Sequence, residues 1–425
     1  MTAPTSTATL GHPRHGRLEV RQGLGLLSGV PDGPGVAAHE QRYGDLPLLD
    51  ADALVDLTAR VAMHGRGGAA FPFGRKVATA AARRGRPVVV VNLGEGEPAS
   101  HKDAALVQVA PHLVLDGAVL TARALGTGEV HVVLPGEARR VSAAVRSALG
   151  ERGRRRRDRK VRWTVHEAAE GFVAGQSSAV LELMAGRPNL PVTTWRPTAE
   201  AGHRGRPTVL SNAETFAQVG RLAHVGAGGY CRLGTADEPG TTLLTVDGDG
   251  SSSRAPQVVE VPFGSGWCTV LPPARLASPV LLGGYHGTWS APGALLGLPV
   301  SRLALTAAGL SLGAGVVLPL DSGCPVDRTS SIVSYLASQT AGRCGPCFNG
   351  LPAIASALSA VACGRGRRSE LRRLTRLVDG RGACAHPDGT VRLVRSLLTS
   401  FEDEVASHAR GRCRLDSPAR LEVSA

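Results

Sequence analysis

The chain has 425 residues, 43% hydrophobic and 4% aromatic, with 48 Lys and Arg against 35 Asp and Glu, a formal charge of +13. At ~150 residues per domain, this length fits roughly two to four domains with ample core, and apolar residues recur too evenly for long disorder. No run approaches the ~18 apolar residues of a membrane helix, Met1 to Leu10 carries no secretory pattern, and eight cysteines in so long a chain point to reduced thiols; a soluble cytoplasmic protein is expected.

In chain order, residues 1–45 carry turn residues (Gly29-Val30-Pro31-Asp32-Gly33) without sustained periodicity, which predicts a loosely structured leader. Residues 46–235 alternate helix and strand signals. Helix is predicted over 49–63, strand over the wholly apolar 87–91, and helix over 103–125 with an interruption near Pro111. Strand follows at 129–134, helix at 137–149, strand at 161–166 and helix at 177–184. That order implies an α/β, doubly wound Rossmann-like domain that binds ligands at the carboxyl ends of its strands. Residues 236–318 hold short strand-like pieces (241–247, 257–261, 279–282) between Gly, Ser and Pro turns, a small β-rich domain. Residues 319–425 read as a helical bundle.

Only three lysines and four asparagines occur, so most of the positive charge is arginine, and a retained Lys76, Lys102, Asn92 or Asn212 points to constrained chemistry. Glycines in Gly65-Arg66-Gly67-Gly68-Ala69-Ala70-Phe71-Pro72 allow backbone N–H groups to approach an anion, with Lys76 adding charge. Directly after the apolar strand, Asn92-Leu93-Gly94-Glu95-Gly96-Glu97 places two carboxylates on a glycine loop facing the ligand edge. Ser211-Asn212-Ala213-Glu214-Thr215 alone reads as a capped strand-to-helix junction. Cys344-Gly345-Pro346-Cys347 aims two thiolates at one centre, with Cys384, Cys324, Cys363 and His386 as further donors. The run Arg154 to Arg157, with Arg159 and Lys160, reads as a solvated loop able to steer an acidic partner rather than as a nucleic-acid contact.

Together these motifs resemble the flavin- and NADH-binding subunit of complex I and its relatives in soluble NAD-linked hydrogenases and formate dehydrogenases, over about residues 50–405. The resemblance implies FMN, NAD(H) and a [4Fe-4S] cluster, with a flavin domain, a small β-grasp-like (SLBB-type) domain and a helical cluster domain. By it, Gly65, Arg66, Gly67, Gly68 and Lys76 hold FMN phosphate and ribityl groups. Asn92, Glu95, Asn212 and Thr215 line the flavin, and Glu97 and Phe71 lie towards the nicotinamide nucleotide, Glu97 as the catalytic candidate. Electrons then leave through the cluster to a ferredoxin or another iron–sulfur subunit.

The chain departs from the family pattern at definite places. Gln176 and Ser177 replace two glutamates, Gly94 an aspartate, Ser211 an asparagine and Ala70 a glycine. Ala341 stands where the first cluster cysteine is expected, which makes Cys324 the candidate fourth ligand beside Cys344, Cys347 and Cys384. Two alternatives remain open on sequence alone: a redox relay without NADH activity, and a zinc-stabilised binding protein using Cys344, Cys347, Cys384 and His386.

Overall fold

The computed structural model describes residues 6–12, 16–155 and 158–414. Its strands in chain order are β1 (Thr7–His12), β2 (Gly16–Arg21), β3 (Val88–Asn92), β4 (Glu129–Pro135), β5 (Arg162–Ala168) and β6 (Thr208–Asn212), then β7 (Thr241–Val246), β8 (Gln257–Pro262), β9 (Val280–Leu282), β10 (Thr288–Ser290) and β11 (Val316–Pro319). One sheet is all parallel, β5-β4-β3-β6, and the other is mixed, β1-β2-β8-β7-β11-β9-β10.

The four valines of β3 explain the first sheet. Val88 and Val90 pack with Val180 and Met184 of the helix Ser177–Met184, while Val89 and Val91 join Leu106, Leu113 and Phe216 on the opposite side. A strand covered on both faces has no polar side, hence the continuous apolar run. Pro111 cannot donate a backbone hydrogen bond, and the predicted interruption falls there: Lys102–Val109 and Pro111–Ala124 bend by 96°. No single helix among the described residues is long and apolar enough to cross a membrane.

The leader differs from expectation. β2 pairs in parallel with β8 (Val20 opposite Val258), and Leu18 and Val20 enter the core at strand spacing. The Glu260 carboxylate accepts the backbone N–H groups of Gly25, Leu26 and Leu27 at 3.0, 2.7 and 2.9 Å, and a helix Val36–Tyr43 follows. The ordering partner lies 235 residues along the chain from Gly25, beyond the reach of any local pattern. Helix Phe73–Ala81 was likewise not predicted, while the capped junction read at Ser211–Thr215 opens the helix Ala213–Tyr230. Within the basic run, Arg155 pairs with Glu40, and Arg156 and Arg157 lie outside the described residues.

Helices Pro325–Ser338, Leu351–Ala362, Arg368–Val378, His386–Ser400 and Glu402–His408 share a separate core around Ile332, Leu358 and Leu397.

Helices Pro111–Ala124 and Ala213–Tyr230 meet through glycine. A Cβ on Gly117 would sit 1.9 Å from the Phe216 carbonyl oxygen. Gly117→Ala is therefore expected to cost about 2–3 kcal/mol of stability, measured by denaturant unfolding.

Candidate functional site

Asn92 and Asn212 end adjacent strands and face each other in the ladder between β3 and β6. The Asn92 side chain donates to the Gly175 carbonyl at 2.8 Å and accepts from the Gly94 N–H at 3.0 Å. Asn212 caps the helix Ala213–Tyr230, accepting from the Thr215 N–H at 3.3 Å, and donates to Asp103 at 2.9 Å. Thr215 Oγ1 accepts the Arg66 backbone N–H at 2.8 Å, which seats the glycine loop against the same helix start. Lys76, on the next helix, donates from Nζ to the Leu210 carbonyl at 2.9 Å. Gly65 to Gly68, Lys76, Asn92, Asn212 and Thr215 are thus assembled around the carboxyl ends of β3 and β6.

Beside them opens a cavity of about 560 Å³, lined by the Gly94–Pro98 loop, Pro135 and Gly136 at the end of β4, and Ala168 to Gly171 at the end of β5. Its glycines are packing requirements. A Cβ on Gly175 would lie 2.0 Å from the Gly94 carbonyl oxygen, and one on Gly96 would lie 2.4 Å from that of Phe172. Glu95 accepts the N–H groups of Asp103 and Ala104 at 3.3 and 3.2 Å, and Glu97 accepts that of Tyr285 at 2.8 Å. Burial pushes both carboxyls up to about 7, with Asp103 adding to the effect on Glu95. Phe71 is 44% exposed, with the Arg75 guanidinium 5.5 Å from its ring centre.

The loop Gly171–Gln176 links this cavity to the cysteines. Gly171, Ala174 and Gly175 line the cavity, while the Gln176 side chain hydrogen-bonds the Cys384 thiol. Cys344 and Cys347 have their sulfurs 3.5 Å apart, and both act electrostatically on Cys384, whose thiol burial pushes up. Phe172, on the same loop, packs its ring 4.5 Å from that of His286 and 5.4 Å from that of His386.

Two placements differ from expectation, and a third bears on the zinc alternative. Arg66 does not present its guanidinium as a phosphate clamp: buried, it donates to the His64 carbonyl at 2.8 Å and the Thr241 carbonyl at 3.3 Å, tying the loop to β7. Cys324 does not join the other three cysteines; it is buried against His408 and Glu404, 3.1 and 3.8 Å away. His386 is no metal ligand here. Its Nε2 donates to the Leu336 carbonyl at 2.8 Å, and its Nδ1 faces His286 at 3.1 Å.

Two sets of contacts escaped the sequence reading, which singled out Lys102 for its rarity alone. Lys102 is buried and pairs with Glu214 at 2.8 Å, with Asp103 3.2 Å away. Asn189 holds the Gly171–Gln176 loop by donating to the carbonyls of Ala174 and Ala179 at 3.1 and 3.0 Å. The rarity of asparagine was the available signal for the second.

Residues 59–221 match the family profile of the Nuo51 FMN-binding domain, and residues 327–408 that of the NADH-ubiquinone oxidoreductase-F iron-sulfur binding region. The second of two NADH-quinone oxidoreductase F subunits of Rhizobium meliloti is 30% identical over 413 residues, covering 90% of this chain and 96% of the relative. The chain belongs to the family of NADH-quinone oxidoreductase F subunits. The F subunit of Streptomyces coelicolor is 29% identical over 394 residues, 87% of this chain and 86% of that relative. The crystal structure of an NAD+-reducing [NiFe]-hydrogenase in the H2-reduced state superposes with a TM-score of 0.79 at 26% identity, over 92% of this chain and 67% of that one.

The site fits the FMN of this family: the glycine loop lines a cavity of its own with Lys102 and Glu214, Asn92 and Asn212 end the neighbouring strands, and the cleft after β3 has walls that leave no room for a Cβ at Gly96 or Gly175. It fits three corners of the iron–sulfur cluster. Ala341, 8% exposed, offers no donor at the fourth, and Cys324 is held elsewhere.

A carboxyl raised to about 7 when folded, against 4.5 ordinarily, binds its proton more tightly in the folded chain. Its contribution favours folding in acid and is withdrawn as pH rises from 4.5 to about 7. Glu97→Gln is expected to flatten that part of the pH–stability profile by about 1–2 kcal/mol, the cleft leaving the group partly solvated. Denaturant unfolding on either side of the window checks it.

Proposed function

We propose that this chain oxidises NADH with FMN and delivers the electrons through its iron–sulfur cluster to an iron–sulfur protein, either a partner subunit or a ferredoxin. The supporting observation is the loop Gly171–Gln176, one side of which lines the cavity while the other hydrogen-bonds a cluster cysteine. The flavin, when bound, takes a hydride and releases electrons one at a time, chemistry that belongs to the cofactor; the chain's part is to orient and enclose.

In this reading the N–H groups of Gly65, Gly67 and Gly68 and the Lys76 ammonium hold the phosphate end, Arg66 shapes the loop, and Asn92, Glu95, Asn212 and Thr215 fix the ring system. Glu97 and Phe71 face the nicotinamide nucleotide. Cys344, Cys347 and Cys384 hold the cluster. Residues 46–235 form the flavin unit, 236–318 a β-grasp-like (SLBB-type) unit and 319–425 the cluster unit, of a protein working in the cytoplasm. The basic loop near Arg154 and Arg155 suits an acidic electron acceptor.

Anaerobic absorption spectra before and after NADH test the reading. Flavin bands over an iron–sulfur shoulder, bleached by NADH, are expected; bands bleached only by dithionite would support a relay fed by another donor, since two family glutamates are Gln176 and Ser177 here. A cluster anchored by three thiolates is also expected to shed its unanchored iron on oxidation, leaving the EPR signal of a three-iron cluster. Ala341→Cys is expected to suppress that loss.

A further inference from the structure

Helix Pro325–Ser338 has the cluster loop after its last turn and Cys324 as its N-cap. Around Cys324 gather Glu404 and His408, one turn apart on the helix Glu402–His408, and Cys413. One ligand atom from each of the four lies within 4.8 Å of all the others. Cys324 Sγ stands 3.1 Å from His408 Nε2 and 3.8 Å from Glu404 Oε1. That same oxygen is 3.3 Å from Cys413 Sγ and 3.3 Å from His408 Nε2.

We propose that Cys324, Glu404, His408 and Cys413 form a structural site for a zinc ion, separate from the iron–sulfur cluster. Zinc bonds of about 2.3 Å to sulfur and about 2.0–2.2 Å to nitrogen and oxygen place tetrahedral ligand atoms roughly 3.3–3.8 Å apart. The four observed separations, 3.1 to 3.8 Å, are edges of such a tetrahedron to within a few tenths of an ångström.

The imidazole is set for the role. Its Nδ1 lies 3.1 Å from the Ala362 carbonyl, which can only accept, so Nδ1 carries the proton and Nε2 turns its lone pair to the centre. Val326 donates its N–H to Cys324 Sγ at 3.3 Å and Arg414 its N–H to Glu404 Oε1 at 2.9 Å, a shell that holds two of the ligands in place. Cys324, Glu404 and His408 are only 4–6% exposed, a setting in which a carboxylate beside two thiols gains from a divalent cation. Two thiolates with an imidazole select zinc over magnesium or calcium, and four protein ligands leave no open position, so the site is structural. It staples the segment at Cys413 to the start of the helix that carries the cluster loop. This assignment does not depend on NADH being the donor.

The test uses the full purified chain, equilibrated with zinc and desalted, with zinc and iron quantified together and the zinc K-edge absorption recorded. Near-stoichiometric zinc is expected, with two sulfur and two nitrogen or oxygen neighbours. Cys413→Ser is expected to bring zinc to background, and Cys384→Ser to leave it in place. Absence of zinc, an edge without sulfur neighbours, loss of zinc in Cys384→Ser, or a Cys324–Cys413 disulfide in the non-reduced peptide map would each overturn the proposal. The edge spectrum of the unsubstituted chain decides if Cys413→Ser fails to fold.

Discussion

The assembly turns on one buried ammonium. Lys102 enters the core with its Nζ 2.8 Å from Glu214 and 3.2 Å from Asp103. Burial opposes its charge, yet Asp103 and Glu214 hold its pKa above the ordinary value. Asp103 in turn accepts from Asn212 and from the Glu214 N–H at 2.9 Å each, and Glu214 accepts the Leu243 N–H of β7 at 2.9 Å. One connected group therefore joins the helix after the Glu95–Glu97 loop, the carboxyl end of β6 and the second sheet. Each ion would be costly if stranded, so these elements are stable together or not at all. The strand-end asparagines inherit their positions from that constraint.

How much of this the sequence disclosed depended on how local each cause was. The β3 strand was legible because burial on both faces leaves its mark on consecutive residues, and the break at Pro111 because a missing N–H is a property of one residue. The glycine loop, Lys76, Asn92 and Asn212 were legible as a set, and the structure gathers them at neighbouring strand ends. Arg66 came from the family resemblance alone, and the carbonyls of His64 and Thr241 that take its guanidinium leave no local mark in the sequence. Cys324 was misjudged because proximity along the chain to Ala341 says nothing of the direction a helix carries its N-cap; its partners, Glu404 and His408, come from the far end of the bundle.

Gln176 shows how a departure from the family pattern is absorbed. As the N-cap residue of the helix Ser177–Met184, it sits where the cavity loop turns towards the cysteines, and its neutral amide meets the half-buried Cys384 thiol. A carboxylate there would add negative charge beside Cys344, Cys347 and Cys384. The exchange lowers the electrostatic cost of gathering those sulfurs while leaving a hydrogen bond between the two halves of the electron path. Ala341, at the missing ligand position, works the other way, withdrawing an anchor from the same group.

The carboxylate of Glu260 has a consequence in time as well as in space. Gly25 to Leu27 leave the ribosome early, but the acceptor that orders them is made 235 residues later. At about 5–20 residues per second, the hairpin of β1 and β2 waits tens of seconds for β8, the partner of the second edge of β2. During that interval the nascent chain must keep β1 and β2 from finding another edge, so the vulnerable period of this protein falls during its synthesis.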